Sequence, residues 1–111
     1  QLAEADGLAV EFGHHENFAA GHNDEEAVSR IEAAAEALGA KRVEVGDPFR
    51  WSEDFGRFGS VAKTALFVLG SGEEHPRLHN PDFDFPDELI GPGIAMFEWI
   101  TRDICGGQVQ D

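Results

Sequence analysis

The chain has 111 residues, of which 41% are hydrophobic and 27% charged, close to ordinary globular usage, so it has the means to fold as one unit of common domain size. Its 22 Asp and Glu against 8 Lys and Arg give a formal charge of −14, which repels phosphate backbones and anionic lipid and excludes nucleic acid and membrane surfaces as natural partners. The acidity itself reads as a solubility feature, of a kind also usual in salt-adapted organisms.

A short Ala/Glu-rich piece opens the chain. It is followed by Leu8, Val10 and Phe12 at alternate positions, the pattern of a half-buried strand. Gly13 to Gly21 lacks periodicity and reads as a linker in which a domain boundary can fall. Asn23 or Asp24 then caps a helix whose first turn carries Glu25 and Glu26. Val28, Ile31, Ala35 and Leu38 share one face of it, and Gly39 provides the left-handed stop. Lys41 to Val45 alternates again and predicts a short strand ended by Gly46-Asp47-Pro48. Ala62 to Leu69 is nearly continuous in apolar residues up to Gly70-Ser71-Gly72, as expected of a strand covered on both faces. A second helix is expected from Pro86, with Asp84 as cap, a kink at Gly91-Pro92-Gly93 and a stop at Gly106-Gly107, beyond which the tail should fray. This order predicts an α/β layer architecture, although three or four strands make a meagre sheet.

The single cysteine, Cys105, excludes an intrachain disulfide and a CxxC metal site. It reads as a packing residue in a reducing compartment, hence the cytoplasm. There is no apolar run of roughly 18 residues to cross a bilayer. The first residues show neither a signal pattern nor an initiator methionine, as a processed or excised fragment would. Gly70-Ser71-Gly72 is not a phosphate loop, because no Lys-Ser/Thr follows and Glu73-Glu74 would repel the ligand.

Five histidines are unequal in promise. His79 follows the apolar run and precedes the second helix, a place from which an imidazole can reach a ligand, although a lone loop histidine can equally be exposed or hydrogen-bonded. His14, His15, His22 and His75 are weaker candidates: His14 and His15 would point to opposite faces of an extended backbone and read as exposed, and His75 reads as lying on the surface of its loop. Glu53 and Asp54 are adjacent and so cannot both face one point. One can buttress a ligand or loop while the other faces substrate or solvent, or the pair can simply begin a helix or turn capped by Ser52.

The segments Trp51-Ser52-Glu53-Asp54-Phe55-Gly56 and Leu78-His79-Asn80-Pro81-Asp82-Phe83-Asp84-Phe85, in this order and spacing, resemble the C-terminal end of the catalytic domain of zinc-dependent amidohydrolases and metallopeptidases. That family includes aminoacylases, hippurate hydrolase and the indole-acetyl-amino-acid hydrolases. The resemblance implies that residues 1–17 close an inserted dimerisation domain and that residues 18–111 form the returning part of the catalytic domain. It further implies that His79 is a metal ligand, that Glu53 and Asp54 lie at the substrate side or behind a ligand, and that Asn23-Asp24 marks re-entry into the catalytic domain. The implied chemistry is cleavage of N-acyl amino acids or small peptides by water activated at a zinc pair or another divalent pair. The remaining ligands and the general base lie upstream in such enzymes, so this chain alone is expected to be inactive. Trp51 stands where many members carry a small residue, which leaves the acyl group open. Expected partners are a second copy of the chain or the missing upstream segment. The competing reading is a non-catalytic acidic module that keeps part of the catalytic-domain fold and works by association.

Overall fold

A computed structural model describes residues 2–51 and 53–106. Three α-helices occur among them, α1 (Leu2–Ala5), α2 (Glu25–Ala37) and α3 (Ile90–Ile104), with 3-10 turns at Asp54–Ser60 and Asp87–Leu89. No strand occurs among the described residues, which corrects the α/β expectation. The radius of gyration is 20.0 Å, whereas a compact chain of this length would have about 13 Å.

α2 forms where local signals coincide. The Asp24 carboxylate accepts from the backbone N–H groups of Glu26 at 3.0 Å and Ala27 at 3.1 Å, satisfying two first-turn donors. At the other end Gly39 takes φ 63°. Its N–H donates to Glu36 O while that of Ala40 donates to Ala35 O, the Schellman arrangement that glycine permits without strain.

α3 begins at Ile90, later than the predicted Pro86, because Asp87–Leu89 first makes a 3-10 turn with no side-chain cap. Pro92 therefore lies in the first turn, where its missing N–H breaks no intrahelical bond, and the reason for a kink disappears. Gly106 ends the helix at φ 70°. Gly107 and the tail lie outside the described residues.

These two helices pack on each other, and their contact holds the small core: Ala34 is 0% exposed and Met96 5%. Arg30 of α2 pairs with Asp103 of α3 beside it. Leu69 lies against α3, where a methyl on Gly93 would meet its Cδ1 at 3.5 Å, and Phe67 meets Phe97 with ring centroids 5.6 Å apart.

The three predicted strands fail for a common reason. A strand is stabilised by a hydrogen-bonded partner strand, and none of these segments has one among the described residues. Leu8, Val10 and Phe12 are exposed, as are Val43 at 74% and Val45 at 58%. Residues 62–69 come nearest to strand pairing. Leu66 exchanges two hydrogen bonds with the Asn23 side chain, donating to Oδ1 at 2.9 Å and accepting from Nδ2 at 3.1 Å, while the Asp24 N–H donates to Thr64 O at 2.8 Å. A side-chain amide thus supplies one ladder step, with no second strand to continue it.

Candidate active-site residues

His79 sits at a constrained point of the backbone. The Asn80 N–H donates to Arg77 O at 3.0 Å, closing a turn in which His79 is the third residue with φ 73°. This is the pattern of a type II turn, whose third position favours glycine. A residue with a Cβ costs about 1–2 kcal/mol there. A second turn follows directly, with the Phe83 N–H donating to Asn80 O at 3.0 Å and Pro81 supplying its preset φ.

The loop is closed by His75, which is half-buried rather than on the surface as its sequence suggested. Its ring meets Phe83 edge-on, with centroids 5.4 Å apart, and its Nδ1–H donates to Pro76 O at 3.0 Å. His79 is therefore held at the apex of a braced loop with its side chain exposed.

Glu53 and Asp54 diverge, as adjacent residues must. Glu53 is extended at φ −144° and ψ 144°, whereas Asp54 begins the 3-10 turn, with Oδ1 3.5 Å from Arg57 Nε. Both carboxylates are exposed. Ser52, considered as a cap, lies outside the described residues, and Glu53 makes no side-chain capping bond.

The structure does not gather these residues into one cavity. A concavity of about 980 Å³ on α3 is lined by Phe67, Leu69, Phe85, Ile94 and Phe97, and one of about 880 Å³ between α2 and residues 66–69 is also largely apolar. A smaller polar cleft includes His22, Asp24, Gly56 and Lys63. His79, Glu53 and Asp54 line none of the three. Among the described residues no three His, Cys, Asp or Glu side chains come together to hold a metal ion, so the residues present do not fit the expected metal pair. Cys105 is exposed instead of packed.

Charge is organised elsewhere. Glu26 pairs with Lys63 and Arg30, and Arg30 pairs with Asp103, linking residues 62–66, α2 and α3. The Lys63 ammonium, and then Arg30, hold the Glu26 carboxyl below its ordinary range; Glu26 in turn raises Lys63, and Asp103 followed by Glu26 raises Arg30. Glu26 and Lys63 are exposed and Arg30 is half-buried, and screening by solvent keeps the exposed pair weak.

Sequence reasoning assigned Asn23 to capping and missed its pairing with Leu66, and it gave Gly56 and Arg57 no separate role. The Asn-Asp pair was the available signal, since a short amide beside a true cap can reach a neighbouring backbone.

The braced histidine turn and the Glu-Asp-Phe-Gly segment both lie within a stretch that matches a peptidase family. Residues 7–103 match Peptidase family M20/M25/M40, and the chain belongs to that family. No solved structure matches the chain. No helix among the described residues is long and apolar enough to cross a membrane.

Proposed function

We propose that these 111 residues form the C-terminal part of a metal-dependent amidohydrolase that cleaves N-acyl amino acids or small peptides, in the branch of the aminoacylases and hippurate hydrolase. In this reading residues 1–17 belong to an inserted dimerisation unit and residues 18–111 to the catalytic domain. His79 donates one nitrogen to a zinc ion or another divalent metal, Glu53 and Asp54 lie on the substrate side or behind a ligand, and the remaining donors come from sequence outside these residues. The compartment proposed is the cytoplasm.

The observation that carries the reading is the family match, which spans both motif segments. The left-handed backbone at His79 supports it, because strain of this kind tends to be retained where a side chain is needed. Pairing with an upstream segment, or with a second copy, would also cover the apolar α3 concavity.

Zinc calorimetry on the chain alone should give weak binding or none. In the complete protein, His79→Ala should lower bound metal and reduce amidase activity by at least about a hundredfold, as loss of a ligand outweighs the roughly 10–100-fold effect of losing a residue behind one. Full activity and full metal content in that variant would sink the assignment.

A second reading, a non-catalytic acidic association module, is favoured by the exposure of Ile94 and Phe97 on α3. Sedimentation at increasing protein concentration tests it, with Phe97→Asp as control. Association that this variant abolishes, in a natural protein without further ligand-bearing sequence, would favour the module.

A further inference from the structure

The segment expected to be one loose linker is divided in two by its contacts. From residue 17 onward it is tied down. Arg57 Nη2 donates to Asn17 O at 2.9 Å, and Gly56 lies so close to the next residues that a Cβ there would fall 2.2 Å from Ala19 O and 3.0 Å from Ala20 C. Asn23 and Asp24 then bond Leu66 and Thr64 as described. Residues 9–16, by contrast, make no backbone hydrogen bond among the described residues, and Glu16 adopts φ 51°.

We propose that Gly56 and Arg57 form a strap that fixes residues 17–24 to the body of the chain, so that movement of the preceding residues pivots at Gly13–Glu16. The strap residues come two and three positions after Asp54, and Arg57 Nε lies 3.5 Å from the Asp54 carboxylate, so the pivot's downstream end and the two carboxylates move as one piece. The role as a pivot between two units rests on the assignment of residues 1–17 to a separate unit; the strap itself does not. A glycine is required at 56 because backbone carbonyl, unlike the end of a flexible side chain, cannot swing out of the way cheaply. The Arg57 bond fixes the carbonyl of Asn17 with a charged donor, a stronger link than a neutral one.

The test uses the 111-residue chain with Cys105→Ser and pairs of spin labels placed by cysteine substitution. The label pair 18 and 29 should give a narrow distance distribution and the pair 10 and 29 a broad one. Arg57→Ala and Gly56→Ala should broaden the 18–29 distribution while the helical circular dichroism stays constant, and Arg57→Lys should restore part of the narrowing. In parallel, chymotryptic cleavage after Phe18 relative to Phe12 should rise about tenfold in Arg57→Ala, as expected for local release of a charged hydrogen bond. An 18–29 distribution as broad as 10–29 in the unsubstituted background, or one unchanged by both variants, overturns the proposal. Should Gly56→Ala unfold the chain, Arg57→Ala introduces no clash and decides the matter. None of these readouts involves metal or substrate, so failure here is distinct from failure of the enzyme reading, which His79→Ala measures.

Discussion

The paired helices α2 and α3 and the apolar segments at 41–45 and 62–69 carry similarly strong hydrophobic patterns, yet the first pair is ordered as the pattern predicts and the others are not. A helix closes its hydrogen bonds within its own segment and needs only one apolar stripe covered; a strand depends on a neighbour for every bond. Hydrophobic periodicity therefore reports what a segment can bury, whereas the element it becomes depends on the chain available beside it.

Four substitutions put this contrast to the test. The largest effect should come from Met96→Asp, which would set an unpaired charge in the α2–α3 contact; about 3 kcal/mol or more is expected, enough to abolish the helical unfolding transition. Asp24→Ala removes the α2 cap and should cost about 1 kcal/mol by urea titration. Gly91→Ala, in α3 with open space around the added methyl, should stabilise by about 0.5 kcal/mol, and a loss there would mean that the first turn of α3 is not helical. Val43→Thr should change stability by less than about 0.5 kcal/mol, because the side chain is already in solvent; a larger loss would show that the 41–45 segment is covered after all.

The charge network gives a smaller, signed effect. Because the folded Glu26 carboxyl is held below its ordinary range, its contribution is present above that range and is lost as pH falls through the lowered value. Lys63, raised by Glu26, contributes fully below the ordinary lysine range and loses this as pH rises through its raised value. The tie between α2 and residues 62–66 should therefore be firmest between these limits. Glu26→Gln should flatten both arms, read as protection of the Asp24 amide in hydrogen exchange. Arms that persist in the variant would assign them to other groups.

Much of the helical part was legible in the residues themselves. Asp24 before two glutamates and Gly39 after the last apolar position are local signals, and both act as expected. Pro92 misled because its cost depends on where the helix starts, and the 3-10 turn at Asp87–Leu89 moves that start by several residues. The strap at Gly56 and Arg57 was hidden because it joins positions far apart in sequence through a main-chain carbonyl, which leaves no mark on residue type at the receiving end. Of the candidate site, the identity of His79 was visible and its left-handed backbone was not, since histidine carries no requirement for that conformation.

That backbone separates two quantities which usually travel together. Glycine relieves the strain at position 79 while deleting the imidazole, so His79→Gly should fold more firmly than His79→Ala and still lack a nitrogen donor. A chain selected for durability alone would favour glycine at that corner; histidine there gives up some thermal resilience and places an imidazole nitrogen at the bend.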